Sequence, residues 1–242
     1  MIRPMFNHLG RLIAVLALAV ICLQLWFAGR ILVMRFIAPQ STSFQRSEVV
    51  RLLKEKQQVA WSQQWVSDAQ LPATLKRAVI ASEDDSFAEH GGVDWEALKG
   101  AWKKNEKAQA RAEARGKPTA KVIGGSTITQ QLAKNLFLSG ERTLLRKGQE
   151  LILTLMLEGL LDKRRILEIY LNSVEWGEGL FGAQAAARHY FHTDAARLGA
   201  FEAARLAVML PAPKRFERQP GSAYVMGRAG IITSRMNSAQ LP

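Results

Sequence analysis

Cysteine and acid are the two scarcities of this chain. Of 242 residues only Cys22 is a cysteine, so no intrachain disulfide can form and no cysteine cluster can hold zinc. Cys22 stands in an apolar run, as a small buried or lipid-facing residue does. Acids number 21 against 33 lysines and arginines, a formal charge of +12. That imbalance points to an anionic partner: nucleic acid, an anionic membrane surface or a phosphorylated substrate. No alternating strand pattern of useful length occurs and no internal repeat, which argues against all-β and repeat architectures. The G-x-x-x-x-G-K-[ST] spacing is absent, so there is no Walker A loop. Hydrophobic residues make up 48% and charged residues 22%, which excludes gross disorder and suffices for one domain with a real core.

What is present begins with an apolar run. Leu12 to Ala28 is apolar except for Gln24, and as a helix it reaches about 26 Å, the short end for a membrane span. Apolar character resumes at Ile31–Met34 beyond Arg30, whose long stem can snorkel. Arg3 and Arg11 precede the run and favour a cytoplasmic N-terminus, although Arg30 and Arg35 on the far side weaken that bias. A cleaved signal peptide is the rival, but no convincing small-x-small cleavage site follows the run. Residues 1–35 are therefore expected to be a tail and transmembrane anchor, 36–70 a connector, and 71–242 the catalytic domain. Trp61 and Trp65 in the connector suit either the membrane interface or core packing.

From Leu71 the signals are helical. Leu75, Val79 and Ile80 predict a helix ending near Glu83, and Asp94 can cap one carrying Trp95, Leu98 and Trp102. Glu106–Thr119, very basic and broken by Gly116 and Pro118, reads as a mobile flap or as an exposed helix end and loop. Further helices are expected at Thr129–Leu138, at Leu144–Leu161 as the buried centre of the domain, after Asp162, and at Phe201–Leu210. Gly177, Gly179 and Gly182 mark a loop. The fold is mainly α.

Four segments carry residues fit for chemistry. Glu83-Asp84-Asp85 at a helix C-terminus opposes the helix dipole, which raises the proton affinity of a carboxylate, as a general base near neutral pH requires. The same run is also what an acidic surface loop looks like. Gly124-Gly125-Ser126-Thr127 opens a helix with backbone N–H groups facing an anion, and Gln130, Gln131 and Lys134 add donors. Arg146 and Lys147 share a helix face with Glu150. The cations suit a diphosphate, and the acid suits a divalent metal held against it. Lys163–Asn172 carries a periodic apolar pattern that argues for packing. His189 and His192 lack a carboxylate partner for a metal and read as structural.

Together, in this order, these segments resemble the peptidoglycan glycosyltransferase family, the transglycosylase domain of class A penicillin-binding proteins. E-D-x-x-F-x-x-H-x-G is met by Glu83, Asp84, Phe87, His90 and Gly92. G-x-S-T-[IL]-T-Q-Q-x-x-K-N runs from Gly124 to Asn135. R-K-x-x-E is met by Arg146, Lys147 and Glu150, I-L-E-x-Y-L-N by Ile166–Asn172, and Ala203–Pro213 resembles the fifth motif. The transpeptidase strings Ser-x-x-Lys and Lys-Thr-Gly are absent, so the likeness is to the monofunctional members.

The resemblance implies a lysozyme-like fold, with a large helical lobe and a small membrane-facing lobe. It implies polymerisation of lipid II into β-1,4-linked strands, with inversion at C1 and release of undecaprenyl diphosphate. It implies Glu83 as base, Glu150 as a second catalytic carboxylate that organises the diphosphate with Mg or Mn, and Ser126, Thr127, Gln130, Gln131, Lys134, Arg142 and Arg146 as substrate contacts. The implied partners are lipid II, the growing lipid-linked strand, the membrane and other cell-wall synthesis or division proteins, with no nucleic acid. The implied location is the outer face of the bacterial inner membrane. A lysozyme-like glycan hydrolase is the nearest alternative, and a membrane-tethered binding protein the next.

Overall fold

A computed structural model describes residues 3–114, 125–141 and 143–242. Gly124, the end of the basic segment and Arg142 lie outside the described residues. The elements, in order, are α1 (Arg3–Met34), α2 (Ser43–Lys56), β1 (Ser62–Gln63), α3 (Ala73–Glu83), α4 (Trp95–Glu113), α5 (Ile128–Phe137), α6 (Leu144–Leu160) and α7 (Lys163–Ser173). There follow β2 (Glu175–Gly177), β3 (Leu180–Phe181), α8 (Ala183–Phe191), α9 (Ala200–Met209), α10 (Pro213–Phe216) and α11 (Ala223–Arg235). The architecture is mainly α, as its periodicity predicts.

α1 is longer than its apolar core. The helix runs to Met34, and its stretch His8–Met34 is the one among the described residues long and apolar enough to cross a membrane. Most of it is exposed, but Phe27, Ile31 and Met34 are buried against the body. α1 packs on α6, and the Arg165 guanidinium donates to the Met34 carbonyl at 2.8 Å. α1 is thus docked on the domain along its C-terminal half.

The centre of the core is α7, where every residue from Ile166 to Ser173 is buried. This corrects the expectation for α6. α6 buries only a stripe of Glu150, Leu153, Thr154 and Leu157, while Leu144 and Leu145 are 93% and 87% exposed. An unbroken apolar run cannot reveal which of its faces meets protein and which meets lipid. Here the exposed leucines belong to the helix that flanks the anchor. α4 likewise exposes Trp95, Leu98 and Trp102, spaced along one face. Of the two readings of the basic segment, α4 fits the exposed helix end as far as Glu113, and residues 115–119 lie outside the described residues. Its exposed surface is held by i,i+4 bonds from Trp102 to Glu106 and from Gln109 to Glu113,.

α3 packs on α9 and α11, and α5 on α6 and α7. The segment 36–70 is structured and joined to this body. Asn172 on α7 accepts from the Val66 N–H and donates to the Val66 carbonyl, both at 2.9 Å. β1 pairs in parallel with β3, and β3 antiparallel with β2. The glycine loop is therefore a hairpin. Gly179 turns it at φ +67°, where a Cβ would lie 2.0 Å from the Ala60 carbonyl oxygen. Trp61 stacks on Phe181 at 4.8 Å and Trp65 faces the Arg165 guanidinium, so both tryptophans pack on protein.

α2, the hairpin and α10 meet at a cluster of charges. Lys214 Nζ lies 2.7 Å from Glu48 and 3.3 Å from Glu175. Glu48 takes the hydrogen bond, and the nearer Glu175 oxygen has none. Burial pushes the Glu175 carboxyl up to about 7, against the pull of Lys214 and with the help of Glu48. A carboxyl whose pKa is raised by folding costs nothing below the unfolded value of 4.5 and progressively more up to about 7,. The cost is on the order of 3 kcal/mol. Glu175→Gln is therefore expected to melt at a higher temperature than the parent at pH 8, with the gap closing by pH 4. Equal melting curves at pH 8 would refute this.

Candidate active site

The site is assembled around the end of α3. Glu83 is the last residue of that helix, half-buried, and Asp84 beside it is buried. Asp84 Oδ2 accepts the Ile128 N–H at 2.9 Å, and Oδ1 is 2.8 Å from His90 Nε2. The Gly92 N–H donates to His90 Nδ1 at 3.1 Å. That leaves the imidazole proton on Nε2, where it is donated to Asp84. Asp84 thus fills the N-terminus of α5, where an anion is favoured. Thr127 closes the same end: its hydroxyl donates to the Gly92 carbonyl at 2.6 Å and accepts from the Gln130 N–H, and the Gln130 side chain accepts from the Thr127 N–H. Gly92 has φ +88°, and a Cβ there would lie 2.7 Å from Thr154. The turn that carries His90 can close this tightly only with glycine.

This lock brings Gln131, one turn into α5, to Glu83. Gln131 Nε2 donates to Glu83 Oε2 at 3.0 Å, and the Tyr170 hydroxyl donates to Gln131 Oε1 at 2.9 Å. Tyr170 orients the amide so that its N–H faces the carboxylate. Burial raises the Glu83 carboxyl above the usual glutamate range, Gln131 opposes the rise and the Asp84 charge adds to it. Burial, and then the charges of Glu83 and Asp84, push the Tyr170 phenol well up, so it stays a neutral donor. The sequence assigned Tyr170 to packing, because its periodic neighbours do pack. Its contact with Gln131 becomes visible only once α5 and α7 are side by side.

Two cavities meet here. One, of about 740 Å³, holds Glu83, Asp85, Glu89 and Asp94 on one side and Lys104 and Arg235 on another. The second, of about 320 Å³, is lined by Gln130, Gln131, Lys134, Arg146, Lys147 and Glu150. Exposed Ser126 lines both. The sequence-predicted residues Glu83, Ser126, Thr127, Gln130, Gln131, Lys134, Arg146 and Glu150 all border this double cavity. Thr127 and Gln130 also serve the helix cap, and Arg142 lies outside the described residues.

Glu150 is buried, and both its oxygens are taken. Arg146 donates to Oε2 at 2.7 Å, and Lys147 bonds Oε1. No group of three or more His, Cys, Asp or Glu side chains suited to a metal occurs among the described residues. A lone carboxylate already paired with two cations does not fit a resident divalent ion. His189 and His192 are exposed, and His189 packs edge-on against Tyr190.

A base of raised proton affinity therefore borders an acidic cavity, and a cationic cavity lies one side chain away. That arrangement can take a proton from one substrate and neutralise an anionic leaving group on another. Comparison with known proteins places the chain among relatives. The family model described as Transglycosylase matches residues 49–237. The chain is similar to the "Biosynthetic peptidoglycan transglycosylase" of Paraburkholderia phytofirmans, with 51% identity over 229 residues, covering 95% of this chain and 91% of that one. The protein of the same name from Bordetella pertussis is 47% identical over 236 residues, 96% and 95% of the two chains. That from Burkholderia ambifaria is 52% identical over 229 residues, 95% and 89%.

Removing Asp84 strands two donors, the Ile128 N–H and His90, in a buried setting. Asp84→Ala is expected to cost about 3 kcal/mol in denaturant unfolding, and exposed Asp85→Ala roughly 0.5 or less. Equal costs for the two would contradict the lock.

Proposed function

The chain belongs to the transglycosylase family, and from that premise we propose that it joins lipid-linked disaccharides into peptidoglycan strands with Glu83 as the base. It is a peptidoglycan glycosyltransferase, and the hydrolase alternative is not favoured. In the proposed reaction the growing strand, α-linked through diphosphate to its polyprenol, is the donor, and lipid II is the acceptor. Glu83 takes the proton from the 4-hydroxyl of the acceptor GlcNAc as that oxygen attacks C1 of the donor. Inversion leaves a β-1,4 bond and releases undecaprenyl diphosphate.

One observation supports this reading above the others: Glu83 borders an acidic cavity while Lys134, Arg146 and Lys147 border the adjoining one. A diphosphate departs with its own charge, so it needs cations more than a proton donor. Lys134 and Arg146 would contact the phosphates, as would Arg142. Glu150 would hold Arg146 and Lys147 in place. Ser126, between the cavities, would contact the donor sugar. The metal implied by the resemblance is proposed to travel with the substrate's diphosphate; purified protein should then hold no stoichiometric divalent ion by elemental analysis.

The apolar α1 is consistent with a single-pass anchor. We propose that its N-terminus is cytoplasmic and that the domain works on the outer face of the inner membrane, where both lipid-tailed substrates lie. Other cell-wall synthesis or division proteins are proposed as partners there.

Lipid II supplied to the purified protein is expected to give polymer. Glu83→Gln should stop polymerisation while leaving the melting temperature near that of the parent. Full activity in Glu83→Gln, or release of soluble sugars from finished glycan without polymer, would overturn the proposal. A base must be ionised, so the acid limb of the pH–rate profile should lie above the usual glutamate range. Gln131 is the group that opposes the rise, so Gln131→Leu should move that limb to still higher pH. An unmoved or lowered limb would contradict the assignment.

A further inference from the structure

Gln24 is the one polar residue in the apolar stretch Leu12–Ala28, and the reaction described above makes no use of it. Its carboxamide exchanges two hydrogen bonds with that of Gln149 on α6. Gln24 Nε2 donates to Gln149 Oε1 at 2.9 Å, and Gln149 Nε2 donates to Gln24 Oε1 at 3.1 Å. Gln24 lies about 15 Å along the helix axis from the end of α1 at Met34,. The pair therefore sits within the membrane-spanning stretch, where an unpaired amide is costly.

Such interhelical bonds contribute little to stability in membranes. What they add is alignment. Two apolar helix faces can slide and rotate over one another, but only one register satisfies both amides. Gln149 directly precedes Glu150, which gathers Arg146 and Lys147 at the cationic cavity. The same stretch of α1 also grips the end of α5, the helix of Lys134. Phe27 meets Phe137 edge-on at 5.2 Å, and the Arg30 guanidinium lies 5.4 Å from the centre of the Phe137 ring. α1 thus holds both helices that carry the cations.

We propose that α1 is a positioning element of the cationic cavity as well as an anchor. Gln24 acts through Gln149 to set the rotation of α6, and so the direction in which Glu150, Arg146 and Lys147 face the donor's diphosphate. This rests on the reading that the cationic cavity takes the lipid-linked donor.

The test uses the full chain in lipid nanodiscs, with a lipid-linked tetrasaccharide as donor and lipid II as acceptor, each varied separately. Gln24→Leu is expected to raise the donor KM roughly tenfold, as small displacements of positioned groups do. The acceptor KM should not move. Loss of folded protein would instead lower kcat and leave both KM values alone. Gln24→Glu should restore the donor KM, because a carboxyl kept protonated in the apolar setting can exchange the same two bonds. The double variant Gln24→Leu/Gln149→Leu should keep the defect, because two leucines specify no register. An unmoved donor KM in Gln24→Leu, or recovery in the double variant, overturns the inference alone. A wild-type protein inactive on these lipids overturns the functional reading, and this inference with it.

Discussion

The buried carboxylate of Asp84 is the interaction on which the rest of the site depends. One of its oxygens is committed to His90 and the other to the first N–H of α5. A buried carboxylate persists only when its acceptor capacity is met, so the acidic loop and α5 must close together. Once they do, the next turn of α5 puts Gln131 against Glu83. Tyr170, from the most buried helix, then sets which way that amide faces. The neighbouring acid thus serves twice, bonding the fold together and raising the proton affinity of Glu83.

Charged side chains line the two sides of this lock. Exposed Asp85 and Glu89 line the cavity of Glu83, along with Lys104 and Arg235, while Lys134, Arg146 and Lys147 line the other, along with Glu141 and Glu150. Ser126 borders both sides. A hydrolase needs a carboxylate to protonate its leaving group. Here the cationic cavity is lined by two carboxylates, exposed Glu141 and buried Glu150, the latter paired on both oxygens. Those bonds tie it to Arg146 and Lys147.

Much of this was legible in the sequence, for reasons that differ by residue. The end of α3 at Glu83 followed from apolar spacing, and the caps at Asp94 and Asp162 followed from side-chain chemistry at helix starts. Glu83, Ser126, Gln131, Lys134 and Glu150, read from motif and chemistry, lie together along the double cavity. What stayed hidden depends on packing between distant segments. Asp84 as the cap of α5 spans 44 residues and Tyr170 to Gln131 spans 39, and no local pattern encodes either. The exposed leucines of α6 were misread because an unbroken apolar run does not show which of its faces is buried. Gln24 was visible as an exception in an apolar run, but its partner was not.

The account makes Glu83 a carboxyl that burial and Asp84 hold above the ordinary glutamate value of 4.5. The most direct test is infrared titration of the wild type minus Glu83→Gln, which isolates that one carboxyl. A protonated carboxyl band persisting clearly above pH 4.5 is the predicted result. A band that disappears at or below pH 4.5 would contradict the account at its centre.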